Sequence, residues 1–323
     1  MQYRQLGKWG VRVSTIGLGS YLTIGMHVDE ETARQCVKFA FDSGINWFDT
    51  ANAYNRGQAE ITLGKLLADY HRDDYVLATK VFAPMDDGAN DRGLSAKHVF
   101  EQCHASLKRL QTHYIDLYQC HRPDPDTPLE ETIRIMDDLA RQGKILYWGV
   151  SEWPAELIQE ACDLARLMGC RPPASNQPRY NLLWRYPERA VFPNCLKNGL
   201  GNVLFSPLAH GVLSAKYQPG QPPAAGTRAA DETQNQIMMD LYWTDENLRK
   251  AQELKKMAAD LGLTAAQLSL AWCLRHEAVT SVIAGVTRVE QLKENLAAAE
   301  AVVPQEVYEK LSRLFPLPAL QAP

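Results

Sequence analysis

Four residues of kinds that move protons stand where short apolar runs end. Asp49 closes Ile45-Asn46-Trp47-Phe48-Asp49 and Tyr54 follows it five residues later, Lys80 closes Val76-Leu77-Ala78-Thr79-Lys80, and His121 closes Ile115-Asp116-Leu117-Tyr118-Gln119-Cys120-His121. Apolar runs this short read as buried strands. If the three are neighbours in one parallel sheet, their C-terminal ends bring a carboxylate, a phenol, an amine and an imidazole to one place. That set can pass a proton to a carbonyl oxygen. Singly, Asp49 suits a turn, Lys80 a frayed strand end and Tyr54 any loop. Their joint occurrence at the ends of adjacent runs is what points to chemistry.

The elements that must position them alternate regularly. Two alternating runs between Tyr3 and Ser14, broken by a glycine-containing turn, predict a hairpin. Strands are then expected over 15–19, 45–49, 76–80, 115–121, 145–150, 174–177, 203–206 and 281–285. Helices are expected over 29–42, 58–70, 95–110, 129–142, 154–168, 246–261, 264–277 and 289–300, with Ser95 as an N-cap. Eight strands alternating with helices, and no G-x-G-x-x-G after the first, fit an α/β fold of one (β/α)8 TIM barrel over residues 1–323 rather than an open doubly wound sheet. Sites in such barrels lie at the C-terminal rim, where these four residues fall. The irregular stretch 211–244, after strand seven, is long enough to be a lid or binding loop.

Composition narrows the field. A chain of 323 residues with 46% hydrophobic content can build a large core. Its net charge of -4, with both signs mixed along the chain, offers no nucleic-acid face and no membrane patch. Seven cysteines without a C-x-x-C pair argue for a reducing compartment rather than a disulfide framework. The opening Met1-Gln2-Tyr3-Arg4-Gln5-Leu6 has no apolar signal core and no run reaches membrane-spanning length, so the expectation is a cytoplasmic protein without membrane insertion. His98, His104 and His113 lack metal spacing, and no metal is expected.

Six segments in order carry a resemblance: Gly44-Ile45-Asn46-Trp47-Phe48-Asp49-Thr50-Ala51 with Tyr54, Thr79-Lys80, His121-Arg122-Pro123-Asp124, Tyr147-Trp148-Gly149-Val150-Ser151, Ser206-Pro207-Leu208-Ala209 with Gly211, and Gln291-Leu292-Lys293-Glu294-Asn295-Leu296. Together they resemble the aldo-keto reductase superfamily, in the branch that holds the β subunits of voltage-gated potassium channels and their bacterial reductase relatives. The resemblance implies NADPH-dependent, reversible reduction of aldehydes and ketones to alcohols. Tyr54 would be the general acid, Lys80 would lower its pKa, Asp49 would hold Lys80 charged and aimed, and His121 would orient the substrate oxygen.

It also implies a cofactor site for NADPH/NADP+. Ser20 and Asp49 are among the cofactor-binding residues it implies, and Ser151 and Gln177 match residues that hold the nicotinamide carboxamide. Ser206, Pro207, Leu208, Gly211 and Lys216 match the pyrophosphate stretch, and Arg228 a clamp on the long loop. Gly285, Thr287, Arg288, Gln291, Glu294 and Asn295 match the group around adenosine and its 2′-phosphate. Glu152 departs from the asparagine or arginine that the resemblance would place there. The substrate pocket is expected from Tyr21, Leu22, Phe82, Trp153, Tyr180, Trp184 and Trp243, with Arg122 and Arg179 leaving room for a phosphorylated substrate. The alternative is an NADP(H)-binding regulatory subunit, tetrameric like the channel subunits, that senses redox state for a membrane partner. His121 stands where the channel subunits carry asparagine, which turns the expectation toward an enzyme. A sugar-phosphate barrel enzyme without nicotinamide is a third reading, less suited to Ser206-Pro207-Leu208 and Val286-Thr287-Arg288.

Overall fold

A computed structural model describes residues 1–233 and 235–318, so Gln234 and the last five positions of the expected 1–323 domain lie outside the described residues. The chain opens with an antiparallel hairpin, β1 (Tyr3–Gln5) and β2 (Arg12–Ser14), paired Tyr3 to Ser14. Eight parallel strands follow: β3 (Ile16–Gly19), β4 (Trp47–Asp49), β5 (Val76–Val81), β6 (Ile115–Cys120), β7 (Ile145–Ser151), β8 (Ser175–Gln177), β9 (Gly201–Leu204) and β10 (Val279–Gly285). They close in sequence order, β10 returning to β3, into a (β/α)8 TIM barrel.

Period-two alternation divides the strand residues between two apolar clusters. Trp47, Val76, Ala78, Leu117, Val203 and Ile283 fill the barrel together with Leu6 and Val13 of the hairpin, which stops one end. Phe48, Leu77, Val81, Tyr118 and Cys120 face outward into the layer shared with the helices. Trp47 occupies the interior because Gly17 leaves it room: a Cβ on Gly17 would sit 1.9 Å from the indole Cδ1. Lys80 lies two residues beyond Ala78 and therefore on the inner face.

The outer layer comprises α1 (Glu30–Asp42), α2 (Gln58–Leu67), α3 (Ala96–Arg109), α4 (Leu129–Arg141), α5 (Ala155–Leu167), α6 (Val191–Asn198), α7 (Gln236–Leu241), α8 (Asp245–Ala259), α9 (Ala265–Leu274), α10 (Val289–Ala297) and α11 (Gln305–Leu314). Several begin as local chemistry dictates. Asp29 and Ser95 accept from backbone N–H groups three residues on, and Thr264 with Gln267 completes a capping box.

Four expectations are corrected. The stretch between strands β8 and β9 contains α6, whose eight residues include Pro193, a residue tolerated because it falls in the first helical turn. A further helix, α11, follows α10. The seventh barrel strand spans Gly201–Leu204 rather than 203–206, because Ser206 already has a left-handed φ of 52°. The long loop after it is not wholly irregular, for α7 interrupts it.

Candidate active site

β4 and β5 pair in register with Asp49 beside Ala78, so the side chains of Asp49 and Lys80 meet inside the C-terminal mouth. Lys80 is fully buried. Its Nζ donates to Asp49 Oδ1 at 2.5 Å and to the Thr50 carbonyl at 2.7 Å, and lies 3.3 Å from the Tyr54 hydroxyl oxygen. An ammonium has three N–H bonds, and these three acceptors use them all. Because the phenol oxygen is an acceptor toward Lys80, its own proton points away, toward the mouth. Asp49 is completed by Gln177 Nε2 at 2.8 Å and Gln119 Nε2 at 3.5 Å, both on Oδ2.

The Tyr54 turn is costly in isolation. Asn55 and Arg56 are left-handed at φ 47° and 49°, and Gly57 follows at 87°. Each of the two non-glycine residues carries a strain of roughly 1 kcal/mol or more. Asn55 Nδ2 donates to the Gly25 carbonyl at 2.7 Å, one of the bonds that hold the turn. The Tyr54 ring packs 5.0 Å from Tyr21 and 5.7 Å from His121, the latter edge-on.

The charges follow from burial and neighbours. Burial alone would discharge Lys80, but Asp49 and then Tyr54 outweigh it, and the ammonium lies above its ordinary pKa. Burial raises the Tyr54 phenol above its usual value while Lys80 pulls it back only in part. The expected net lowering of Tyr54 is thereby corrected: enclosure outweighs the nearby cation. His121 is held neutral, well below the ordinary histidine range, by burial and by the Lys80 and Arg122 charges. The cluster thus combines a fixed cation, a protonated phenol and an imidazole able to donate one hydrogen bond.

Around the mouth the expected residues separate into groups. Ser20 donates to Thr50 Oγ1 at 2.8 Å, and Ser151 to the Gln177 carbonyl at 2.9 Å. Gln177 spends its amide N–H on Asp49 and belongs as much to the acid–base cluster as to a carboxamide site. Glu152, left-handed at φ 57°, accepts from the Arg179 backbone N–H at 2.6 Å and so ties two rim loops together. Tyr21 and Leu22 border a pocket of about 180 Å³ beside Tyr54, with Ile24 and Met26. Trp153 is buried and its indole N–H has no hydrogen-bond partner among the described residues. Trp184 stacks under the Arg179 guanidinium, and Trp243 packs edge-on against Tyr217 of the long loop.

Tyr180 does not line the pocket. It is fully buried outside the barrel, stacked 5.0 Å from Trp272 of α9, with its hydroxyl donating to Glu188 at 2.8 Å. After β8 the chain runs down the outside against α9, which turns this ring into core. A larger groove of about 730 Å³, bordered by Arg275, Glu277 and Tyr308, lies beside the start of β10, at the end of the barrel away from Tyr54.

The loop after β9 forms a second rim feature. Ser206, Ala209, His210, Gly211 and Ala215 all have positive φ. Ser206 Oγ lies 3.1 Å from His210 Nε2, while the buried His210 Nδ1 has no hydrogen-bond partner among the described residues. Lys216 approaches closely, its Nζ 3.9 Å from where a Gly211 Cβ would stand. Beyond β10, Arg288 is the N-cap residue of α10 and its side chain makes no capping hydrogen bond, so among the described residues the first N–H groups of the helix have no side-chain cap. Gln291 accepts from both Thr287 donors, and Asn295 is buried behind it. Gln119 and Thr50 are functional candidates that the sequence reading missed. An inward polar residue two places before His121 was the available signal for Gln119.

Burial, with Arg228 and Arg179 adding to it, pushes His210 down to about 3. An unfolded histidine titrates near 6.5, so between roughly 6.5 and 3 the unfolded chain holds a proton that the folded chain lacks. Stability therefore falls as pH drops through that window, by ~2 kcal/mol at pH 5 from this residue. Denaturant unfolding of the cofactor-free protein at pH 8 and pH 5 should show a smaller loss for His210→Asn than for the parent. Equal losses would place His210 in a wetter setting.

A closed parallel barrel with a lysine–carboxylate–phenol cluster at its C-terminal mouth has the layout of a barrel oxidoreductase. The chain belongs to the aldo/keto reductase family, whose model matches residues 15–315. It is 41% identical over 305 residues to a probable voltage-gated potassium channel subunit beta of Arabidopsis thaliana, covering 94% of this chain and 92% of that protein. It is 40% identical over 316 residues to a protein of the same description from Oryza sativa subsp. japonica, covering 96% and 95%. Among the described residues no helix is long and apolar enough to cross a membrane.

Proposed function

We propose that this chain reduces aldehydes and ketones to alcohols, reversibly, using NADPH. The observation that carries the reading is the 3.3 Å approach of a fully buried ammonium to the Tyr54 hydroxyl. That contact stabilises the phenolate left when Tyr54 Oη gives its proton to the developing alkoxide. Neutral His121 donates to the substrate oxygen and fixes its direction, and Asp49 keeps Lys80 charged. When bound, a reduced nicotinamide supplies the hydride.

The residues present suit a dinucleotide. His210 Nδ1 is a buried polar atom in want of a partner, Lys216 closes on the left-handed loop, and the uncapped start of α10 beside Arg288 suits an anion. Ser151 and Gln177 would meet the carboxamide; Ser206, Pro207, Leu208, Gly211, Lys216 and Arg228 would follow the pyrophosphate. Gly285, Thr287, Arg288, Gln291, Glu294 and Asn295 would hold the adenosine end, with Arg288 favouring a 2′-phosphate. The apolar wall of Leu22, Ile24 and Met26 suits a planar or aliphatic aldehyde. Purified protein offered 4-nitrobenzaldehyde, methylglyoxal and a triose phosphate should oxidise NADPH in preference to NADH. The ranking of the three assigns the substrate class, and a preference for NADH would remove the role given to Arg288.

The names of the two relatives support a second reading, an NADP(H)-binding regulatory subunit acting on a membrane partner. The neutral His121 imidazole in contact with the Tyr54 ring, able to donate to a substrate oxygen, favours the enzyme.

A further inference from the structure

Behind the Tyr54–Lys80 pair, on the helix side of the barrel wall, the Glu60 carboxylate is completely buried and shared by three elements. Its Oε1 accepts from Thr79 Oγ1 of β5 at 2.5 Å, and its Oε2 from Arg109 Nε of α3 at 2.5 Å. Arg109 Nη2 also reaches Ser106 Oγ at 3.2 Å and Gln102 Oε1 at 3.4 Å. That same Gln102 oxygen accepts from Asn52 Nδ2 at 3.2 Å. Gly57 lies directly against the arginine stem, where a Cβ would come within 2.7 Å of Arg109 Cδ.

The places held in this way flank the reacting pair. Asn52 precedes Tyr54 by two residues, Gly57 closes the left-handed turn after it, and Glu60 lies in the first turn of α2 that follows. Thr79 immediately precedes Lys80, and Asn52 donates its backbone N–H to the Lys80 carbonyl at 3.2 Å. Arg109 therefore grips the Tyr54 turn from both sides while its partner carboxylate holds β5. A turn with two left-handed non-glycine residues persists only when its surroundings over-determine it.

We propose that the buried Glu60–Arg109 pair is a positioning device for the reaction: by clamping the Tyr54 turn and β5 against α3, it sets the spacing between the Tyr54 hydroxyl and the Lys80 ammonium. Neither residue touches substrate. The inference rests on Tyr54 being the proton donor, and it adds where the precision of that donor comes from. A displacement of about 1 Å at a reacting group can cost about a hundredfold in rate.

Removing Arg109 alone would strand a buried carboxylate, so the informative variant is Glu60→Gln with Arg109→Met, which withdraws the pair without leaving a charge behind. With 4-nitrobenzaldehyde and NADPH, its kcat should fall roughly ten- to a hundredfold. KM and NADPH affinity should hold, and the alkaline limb of the kcat profile should move to higher pH, because a more distant Lys80 pulls the phenol down less. The other groups facing Tyr54, namely Asp49, Tyr21 and His121, stay in place. Gln102→Met removes the oxygen shared by Asn52 and Arg109 while leaving the Glu60–Arg109 ion pair in place; it should shift the profile the same way with a smaller loss of kcat, and it decides the matter if the double variant does not fold. Lowered thermal stability with kcat and the pH profile of the folded enzyme unmoved would overturn the proposal. Tyr54→Phe run in parallel separates the two ideas. An active Phe variant removes the donor and the device together, whereas an inactive one beside unaltered clamp variants removes the device alone.

Discussion

Tyr54→Phe should lose carbonyl reduction by about a hundred- to ten-thousandfold, the usual contribution of a positioned acid, while NADPH binding is kept. The reasoning is local. The phenol oxygen takes one N–H of the Lys80 ammonium, which turns the hydroxyl proton outward. His121, the other titratable ring in contact with Tyr54, is held neutral and well below its ordinary range, so it has no acidic proton to offer in its place. Losing the hydroxyl leaves one Lys80 donor unused, at a stability cost of ~1 kcal/mol. Steady-state kinetics and NADPH fluorescence titration together check the outcome. Retained turnover would assign the acid elsewhere.

Lys80→Met should be worse, because it damages the fold as well as the chemistry. The Lys80–Asp49 pair is 0% and 4% exposed, and removing one member of such a pair costs about 3–5 kcal/mol, since the remaining charge stays buried. Gln177 and Gln119 still donate to Asp49 but bring no charge. Adding Asn at position 49 should restore most of the stability and none of the activity, which distinguishes the structural cost from the chemical one. The folded Lys80 pKa lies above that of a free lysine, so the stabilisation that comes from the Lys80 charge is present below about pH 10.4 and is lost as pH rises beyond it. Unfolding curves and turnover for the single and double variants measure both parts. A stable, active Lys80→Met would contradict the assignment.

How much of this was legible beforehand varied with the range of the interactions involved. Asp49, Lys80 and His121 showed in the sequence because a titratable residue ending a buried strand breaks an otherwise apolar pattern, and the barrel places all strand ends at one mouth. The Ser95 cap is encoded within four residues and was equally visible. Tyr180 was misread because nothing local announces that the chain after β8 turns down the outside to stack on Trp272, a partner ninety-two positions away. The net effect on Tyr54 was misjudged for a related reason: the cation was visible in the sequence, while the enclosure that outweighs it is assembled from many elements. α6 escaped because Pro193 reads as a breaker unless its place in the first turn is known. The Glu60–Arg109 clamp joins residues of opposite charge forty-nine positions apart, each of which alone looks like an ordinary exposed helix residue.

The measurement that bears most directly on the whole account is turnover of 4-nitrobenzaldehyde by the unaltered protein with NADPH, read beside its affinity for NADPH. Sustained, saturable consumption of NADPH with stoichiometric formation of the alcohol is the result expected of a buried ammonium serving a phenolic acid. Tight NADPH binding with no turnover of this aldehyde, or of methylglyoxal, would contradict it and leave a cofactor-binding regulatory protein in its place.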